Sequence, residues 1–307
     1  MISHSSAYAV LVLNMALWGG ALVVARGVHE LAPPMALTFW RWVVAALVLL
    51  PFVARRLYEE LPLKPQARRS VYRICGYMAA GTTLSVVAVN YTTAINATVI
   101  NGTQPAVTAL VALLLVRERL SPMQTLGIVS AFLGIIVMAS QASLGVLLQL
   151  NINIGDLVML GAVMCWSAYA VELHRTTHLP SPEVLLFLIA AAGVGCGLPL
   201  YIIEAVYIRS FESSPATLGA VVYLGMGSTV LAVYLWNAAI RSVGANRAAV
   251  FLNLIPVFGA GLAIVFLGER LFGYHLIGGC LVIAGIFLAV QKSAKRSIPP
   301  LAVEEKS

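Results

Sequence analysis

Charge is the property that this sequence has least of. Only 10% of its 307 residues are charged, whereas 60% are hydrophobic and the mean hydropathy is +0.92. Roughly a quarter of the residues of a typical soluble domain are charged, so the composition excludes a water-soluble globular protein. Most side chains must therefore face lipid or one another.

Cysteine pairs and enzyme motifs are also missing. The four cysteines are scattered through apolar runs without a CxxC pair, so neither disulfides nor a metal site is expected. The sequence has no Walker A, HExxH or GxSxG motif, which argues against an ATP-driven pump and an intramembrane protease. We expect a protein that is not an enzyme and that uses no cofactor and no metal.

Long apolar runs predict transmembrane helices. A helical span needs about 20 apolar residues, and open strands would leave backbone groups unpaired in lipid. The first run is interpreted as a span and not as a signal peptide, because no Lys or Arg precedes it. The predicted spans are 8–28, 35–54, 71–91, 96–116, 123–140, 155–174, 182–204, 216–240, 246–267 and 273–291.

Positive charge is distributed unevenly between alternate loops. With the N-terminus in the cytoplasm, Arg26, Arg209 and Arg270 fall outside. Arg41 falls within a span, and the other 15 of the 19 Lys and Arg residues fall inside. Because cytoplasmic loops are rich in Lys and Arg, we expect a protein of the bacterial inner membrane with both termini cytoplasmic. The net charge of +7 then needs no nucleic-acid partner.

The chain also repeats itself. Trp18 and Trp166 stand in similar contexts 148 positions apart. Further along, an offset of 151 pairs Ala94 with Ala245, Ala97 with Ala248, Val99 with Val250, Pro105 with Pro256, Ala112 with Ala263, Glu118-Arg119-Leu120 with Glu269-Arg270-Leu271, Gly127 with Gly278 and Gly134 with Gly285. Each copy holds five spans, an odd number, so the second copy must be inverted in the membrane.

This repeat sets the expected architecture. The fold class is all-α integral membrane, with ten transmembrane helices as two inverted five-helix repeats around a central cavity. The first repeat covers 1–140 and the inverted repeat covers 155–291, with a linker at 141–154 and a cytoplasmic tail at 292–307. Inverted repeats are typical of alternating-access transporters that bind solute near the midplane.

Repeated motifs carry a resemblance to a known family. Copy one has Tyr91-Thr92-Thr93-Ala94, Gln104-Pro105 and Arg117-Glu118-Arg119-Leu120, and copy two has Ala245-Asn246-Arg247-Ala248, Ile255-Pro256-Val257-Phe258 and Gly268-Glu269-Arg270-Leu271. The chain resembles the EamA-type branch of the drug/metabolite transporter (DMT) superfamily, and within it the YddG-type amino-acid exporters. The resemblance implies a solute exporter whose cavity is lined by helices 1–4 and 6–9.

Polar and aromatic residues within the predicted spans are candidates for a solute site. Together they suit a neutral or zwitterionic solute with an apolar portion, although hydrogen bonds between helices are the alternative for each. The candidates are Trp18, Asn101, Gln104, Trp166, Tyr169, Tyr223, Tyr234, Asn237 and Asn253.

A few charged residues and prolines within the spans complete the candidates. Arg41 is placed to meet a solute carboxylate and Glu172 to meet an ammonium group, with snorkelling to the interface as the alternative. Asp156 is expected to begin helix 6 as an exterior residue. Pro105 and Pro256, both mid-span, are interpreted as hinges or as fixed kinks.

The expected function is secondary transport. We expect a monomer that exports amino acids or related small metabolites across the lipid bilayer by alternating access. Transport is expected to be facilitated and uniport-like, because no carboxylate lies mid-span in either copy. The alternatives are export of other metabolites or drugs, such as nucleosides and aromatic compounds, a receptor or sensor that transports nothing, and a channel.

Overall fold

The chain is described by a computed structural model over residues 4–61, 65–116, 122–143, 153–176, 179–243 and 251–290. Over these ranges the regular structure is entirely helical, as expected of a chain surrounded by lipid. The helices are α1 (His4–Gly27), α2 (Pro34–Glu60), α3 (Pro65–Tyr91), α4 (Ala94–Gly102), α5 (Gln104–Val116), α6 (Pro122–Ala139), α7 (Ile154–Arg175), α8 (Pro182–Tyr207), α9 (Pro215–Val222), a π-helical segment (Tyr223–Leu231), α10 (Ala232–Val243), a 3-10 turn (Leu252–Leu254), α11 (Ile255–Leu267) and α12 (Gly273–Val290).

Helix length and apolar composition make this a multi-pass membrane protein. Six stretches of the described chain are long and apolar enough to cross a membrane, namely α1, α2, α3, α7, α8 and the continuous run from α9 into α10. The bent pair α4 and α5 is a seventh if it forms one broken span, and three shorter apolar helices lie in α6, in 252–267 and in α12.

Polar contacts at the helix termini define two ends of the bundle. At the first, the Arg26 end, the Arg26 guanidinium donates to the Val89 carbonyl at 2.8 Å. Arg209 donates to the His29 carbonyl at this end at 2.7 Å. At the second, the Arg73 end, Arg73 lies 3.3 Å from the Glu172 carboxylate. The ends thus hold separate sets of contacts, each joining helices that are distant in sequence.

Most helix contacts join the first half of the chain to the second. Helix α1 packs on α10 and α11, α2 on α8 and the π-helical segment, and α3 on α7 and α8. Helix α4 packs on α11, α5 packs on α7, and α6 packs on α12. The helices of the two halves therefore pack against each other throughout the bundle and do not form two separate units.

The crossing of α6 and α12 depends on glycine. A Cβ atom on Gly134 would lie 2.5 Å from the Gly278 carbonyl oxygen, and a Cβ atom on Gly285 would lie 2.5 Å from the Gly127 carbonyl oxygen. Real Cβ atoms do not approach other atoms so closely, so only glycine permits this separation. Small residues at such crossings let the backbones of membrane helices come into direct contact. Between them, the Ser130 hydroxyl donates to the Leu281 carbonyl at 2.8 Å.

Candidate functional site

A nine-residue π-helical segment, Tyr223–Leu231, interrupts the span that runs from α9 into α10. Two hydroxyl groups stabilise its wide turn, because Ser228 Oγ and Thr229 Oγ1 both donate to the Leu224 carbonyl, at 3.0 and 2.7 Å. Stretches of π-helix occur frequently at functional sites. This segment is therefore a candidate solute site.

Arg41 meets this segment from α2. Its Nε donates to Thr229 Oγ1 at 2.9 Å, and its guanidinium carbon lies 5.6 Å from the centre of the Trp42 ring. Arg41 is seven residues past the start of α2, which is about 10 Å along the helix at 1.5 Å per residue. Among the described residues no carboxylate forms an ion pair with it. Arg41 is thus a half-buried cation within a span, paired there only with neutral groups.

Helix α1 also contacts this segment, through its Trp18 side chain and through Tyr223, the first residue of the segment. Trp18 Nε1 donates to the Ser228 carbonyl at 3.1 Å, and the Trp18 ring lies 5.4 Å from the Trp236 ring. The Tyr223 hydroxyl donates to the Leu17 carbonyl at 2.9 Å. Because Ser228 and Thr229 are consecutive, the contact of Trp18 and the contact of Arg41 are one residue apart.

The second group of candidates surrounds a break between α4 and α5. The two helices meet at a bend of 50°, and Pro105 is the second residue of α5. Pro256 holds the corresponding second position of α11, directly after the 3-10 turn. A Cβ atom on Gly102 would lie 2.7 Å from Pro256 Cγ. Both prolines therefore lie at interruptions of regular helix, and the first interruption packs against the second.

On the C-terminal side of this break, hydroxyl groups link α5 to α7. Thr108 Oγ1 lies 3.0 Å from Ser167 Oγ and donates to the Gln104 carbonyl at 2.7 Å. Next to Ser167, Trp166 packs over Gly81, where a Cβ atom would lie 2.8 Å from Trp166 Cδ1. Asn101, on the preceding turn of α4, has a buried Oδ1 without a hydrogen-bond partner among the described residues. Gln104 and Asn101 are both half-buried.

Other candidates lie apart from these two groups. Tyr169 packs against a cluster of α2, α3 and α8 side chains that includes Trp42. Glu172 accepts from the Ser70 hydroxyl at 2.7 Å and pairs with Arg73 at 3.3 Å, so protein groups already occupy its carboxylate. Tyr234 is 65% exposed. The remaining candidates, Asn237 and Asn253, are half-buried.

Carboxylates that cap helices were missed by reading the sequence. Glu204 accepts from the backbone N–H groups of Met35 and Ala36 at 3.2 and 2.8 Å. Glu60 accepts from the N–H of Ser181 at 2.7 Å. For α2 the sequence signal was Pro33 at the N-cap, because proline has no side-chain oxygen that could cap the helix. For α8 no such signal was present in the sequence, because Ser181 can cap a helix, yet its side chain makes no capping bond in the structure. Unsatisfied N–H groups at a helix start need a partner, here supplied by the other half of the chain.

Glu269 gives the repeated Glu-Arg-Leu motif a structural role. Its carboxylate accepts from the N–H groups of Ala94 and Ile95 at 2.8 and 3.0 Å and so caps the start of α4. Its partner in the first repeat, Glu118, lies outside the described residues, as do Asn246 and Arg247.

Glu269 also borders a cavity of about 430 Å³ at the Arg26 end, which is lined by Arg26, Gly27, His29, Glu30, Leu31, Leu267 and Glu269.

Asp156 differs most from its expected surroundings. It is the third residue of α7, as expected for a residue near the helix start, but its side chain is fully buried and not exterior. Thr92 Oγ1 donates a hydrogen bond to Asp156 Oδ1, and Asn96 Nδ2 lies 3.1 Å from Asp156 Oδ2. The residue therefore joins α7 to the junction of α3 and α4.

Comparison with known proteins identifies the family. The sequence pattern of the EamA-like transporter family matches the chain twice, over residues 5–140 and 153–291. The chain belongs to the EamA-like transporter family. The expected family is thereby confirmed, and this EamA-like protein is a transporter embedded in the membrane.

Its relatives are transporters by name. The EamA-like chain is 26% identical over 319 residues to "Uncharacterized transporter YyaM" of Bacillus subtilis (strain 168), covering 100% of this chain and 99% of that one. It is 25% identical over 296 residues to a "Probable amino-acid metabolite efflux pump" of Salmonella typhimurium (strain LT2), covering 91% and 92%. A solved crystal structure superposes with a TM-score of 0.60 over 93% of this chain and 96% of that one at 20% identity, which shows a shared fold.

Proposed function

We propose that this EamA-like protein exports amino acids or related small metabolites by alternating access, with Arg41 binding the solute carboxylate. The observation that carries the proposal is the meeting of Arg41, Trp18 and Tyr223 at one π-helical segment. A cation within a span is costly unless it is paired, and an incoming carboxylate would supply that pair. The aromatic rings beside it suit an apolar portion of the solute.

The proposed architecture is ten helices in two inverted repeats. The helix contacts support it, because exchanging several of the described helices for their repeat partners turns one observed pair into another. Thus α1 with α11 becomes α7 with α5, and α6 with α12 maps onto itself. The glycine crossing behaves in the same way, since Gly134 meets Gly278 while their repeat partners, Gly285 and Gly127, meet each other.

The remaining candidates are assigned roles within this scheme. Asn101, Gln104, Trp166, Tyr169, Tyr234, Asn237 and Asn253 are proposed to line the solute path. Pro105 and Pro256 are proposed hinges, supported by the helix interruptions at both, and Glu172 is a proposed partner of an ammonium group when it is released by Arg73. The Arg26 end is proposed to face outward from a bacterial inner membrane, with both termini cytoplasmic and the protein a monomer.

Uniport-like transport is proposed because the described spans offer no carboxylate near their middle that is free of a protein partner. Glu172 is paired with Arg73, and Asp156 and Glu269 lie at the Arg26 end. The name of the Salmonella relative supports amino-acid metabolites as the first solutes to test. Nucleosides and aromatic drugs follow in the same panel.

Counterflow in proteoliposomes tests the proposal. A carrier accelerates uptake of labelled solute when unlabelled solute is present inside, whereas a channel or a receptor does not. The panel contains amino acids, their amides, nucleosides and drugs. Counterflow of amino acids supports the proposal, and its absence for every solute contradicts it.

Variants of Arg41 test the carboxylate site. A hydrogen bond to a charged group contributes about 1.5–3 kcal/mol. Arg41→Gln should therefore raise the amino-acid concentration that gives half-maximal transport by roughly 10- to 100-fold. It should leave the response to the matching amide nearly unchanged, and Arg41→Lys should fall between. The matched control is Arg55→Gln on the same helix, because the Arg55 side chain is 93% exposed. An equal loss for acid and amide would exclude Arg41 as the carboxylate partner.

A further inference from the structure

Asp156 is a buried carboxylate that the proposed solute site does not use. Its relative exposure is 0%, and its two hydrogen-bond partners come from elsewhere in the chain. Thr92 follows the end of α3, and Asn96 is the third residue of α4. All three residues lie at the Arg26 end, where the first half of the chain meets the second.

The site holds its negative charge with neutral groups. No Lys, Arg or His among the described residues forms an ion pair with Asp156. The carboxylate accepts from the Thr92 hydroxyl and from Asn96 Nδ2 at 3.1 and 3.3 Å, and it lies in the first turn of α7, where the helix dipole favours an anion. A proton can therefore bind without breaking a salt bridge.

Asn96 provides the acceptor that a protonated carboxyl group would need. The residue is only 6% exposed, and its Oδ1 is buried without a hydrogen-bond partner among the described residues. Rotation of the amide group would turn Oδ1 towards Asp156, so that the protonated carboxyl donates where the ionised one accepted. The pair thus offers a hydrogen bond to each protonation state.

The titratable neighbours are acidic or neutral. From the α12 side, the phenol of Tyr274 is near enough to Asp156 and Glu269 to interact electrostatically with both. His275 beside it accepts from the Phe272 N–H at 3.0 Å through Nδ1, so that ring nitrogen carries no proton. The Glu269 carboxylate, which follows the end of α11, is held at the start of α4 by the N–H groups of Ala94 and Ile95.

The cation at the end of α1 and the phenol at the end of α3 are directed elsewhere. Arg26 is bound to the Val89 and Asn90 carbonyls, and Tyr91 is 61% exposed. The surroundings therefore favour the gain of a proton at Asp156 over the pairing of its charge with a cation.

We propose that Asp156 binds a proton from the solution at the Arg26 end, and that the bound proton makes this end open more readily. The step converts the carboxylate to a carboxylic acid, and the proton returns to the same solution when the end closes, so no proton crosses the membrane. Neutral hydrogen bonds are weaker than charge-assisted ones, so protonation loosens the contact of α7 with α3 and α4. This inference rests on the proposed export function and gives it a control by external pH.

Efflux measured at several external pH values tests the proposal. Right-side-out vesicles are loaded with a labelled amino acid and buffered inside at neutral pH. The initial efflux rate should rise about fivefold between weakly alkaline and acidic external pH, as expected from exchanging charge-assisted for neutral hydrogen bonds. Asp156→Asn, which imitates the protonated form, should show the faster rate at every pH. The control Glu212→Gln alters an exposed carboxylate at the same end and should keep the wild-type response.

A second variant covers the case in which Asp156→Asn fails to fold. Thr92→Val removes a donor that stabilises the ionised carboxylate, so the proton should bind more tightly and the midpoint of the pH response should move to higher pH. Infrared difference spectra between acidic and neutral pH should show a protonated-carboxyl band that Asp156→Asn removes. A merely structural residue would move neither the midpoint nor this band.

The outcomes separate this inference from the proposed function. Counterflow without any dependence on external pH, or an unchanged dependence in Asp156→Asn, overturns the proton site and leaves the exporter intact. Uphill transport driven by a pH gradient overturns the one-sided exchange. Absence of counterflow at every pH contradicts the export function itself.

Discussion

Replacing Gly134 with alanine should destabilise the protein, although alanine is normally the better residue in a helix. The new Cβ atom would lie 2.5 Å from the Gly278 carbonyl oxygen and 2.9 Å from Val282 Cγ2, so α6 and α12 would have to separate. Overpacking of this kind costs about 1–3 kcal/mol, while exchanging glycine for alanine in a helix returns about 1 kcal/mol. We expect the free energy of unfolding to fall by up to about 2 kcal/mol. The Tm should fall with it, by roughly 2–4 °C for each kcal/mol.

Gly279 is the matched control, because a Cβ atom there would have nothing within 4 Å. Gly279→Ala should therefore keep or raise the Tm, measured by tryptophan fluorescence during heating in detergent. Because the α6–α12 crossing is remote from the contacts of Arg41, counterflow per folded molecule should stay near the wild-type value in both variants. If Gly134→Ala proves as stable as Gly279→Ala, the direct backbone contact of the two helices is refuted.

Two further predictions concern carboxylates at the ends of the bundle. Glu269→Gln should lower the Tm modestly, because losing a helix cap costs about 1 kcal/mol, and Glu269→Ala should lower it further; equal Tm values for wild type and both variants would exclude the cap on α4. Arg73→Gln should lower the Tm more than the double variant Arg73→Gln with Glu172→Gln does, because the single change leaves the buried Glu172 charge without its partner. Additive Tm changes in the double-mutant cycle would contradict the pairing.

Features encoded locally were predictable from the sequence. Lengths of apolar runs predicted membrane helices, and the proline at Pro105 marked the interruption that appears as a 50° bend. The end of α2 was predicted at residue 54, yet the helix continues to Glu60. The apolar run ends at the charged turn, whereas the helix continues past it, and Arg55 and Glu59, one turn apart, pair there at 3.3 Å.

Features that depend on distant partners were not predictable. Arg41 and Thr229 are 188 residues apart, and no periodicity in either segment indicates their contact. Asp156 was placed outside because it begins a span, but whether a residue at a helix end meets water depends on what packs over it, here Thr92 and Asn96. The caps by Glu204 and Glu269 also depend on distant partners, which the local sequence at the start of α2 or α4 does not identify.

The extra residue in each turn of the π-helical segment links small local changes to large movements of side chains. Every residue of an α-helix turns the chain by about 100°. If the segment Tyr223–Leu231 lost its one-residue excess and became ordinary α-helix, α10 would rotate about the helix axis by about that angle. Trp236, whose ring centre lies 5.4 Å from that of Trp18, would be carried to another side of the bundle. A change of winding in this segment would thus rotate the second half of the span without unfolding it.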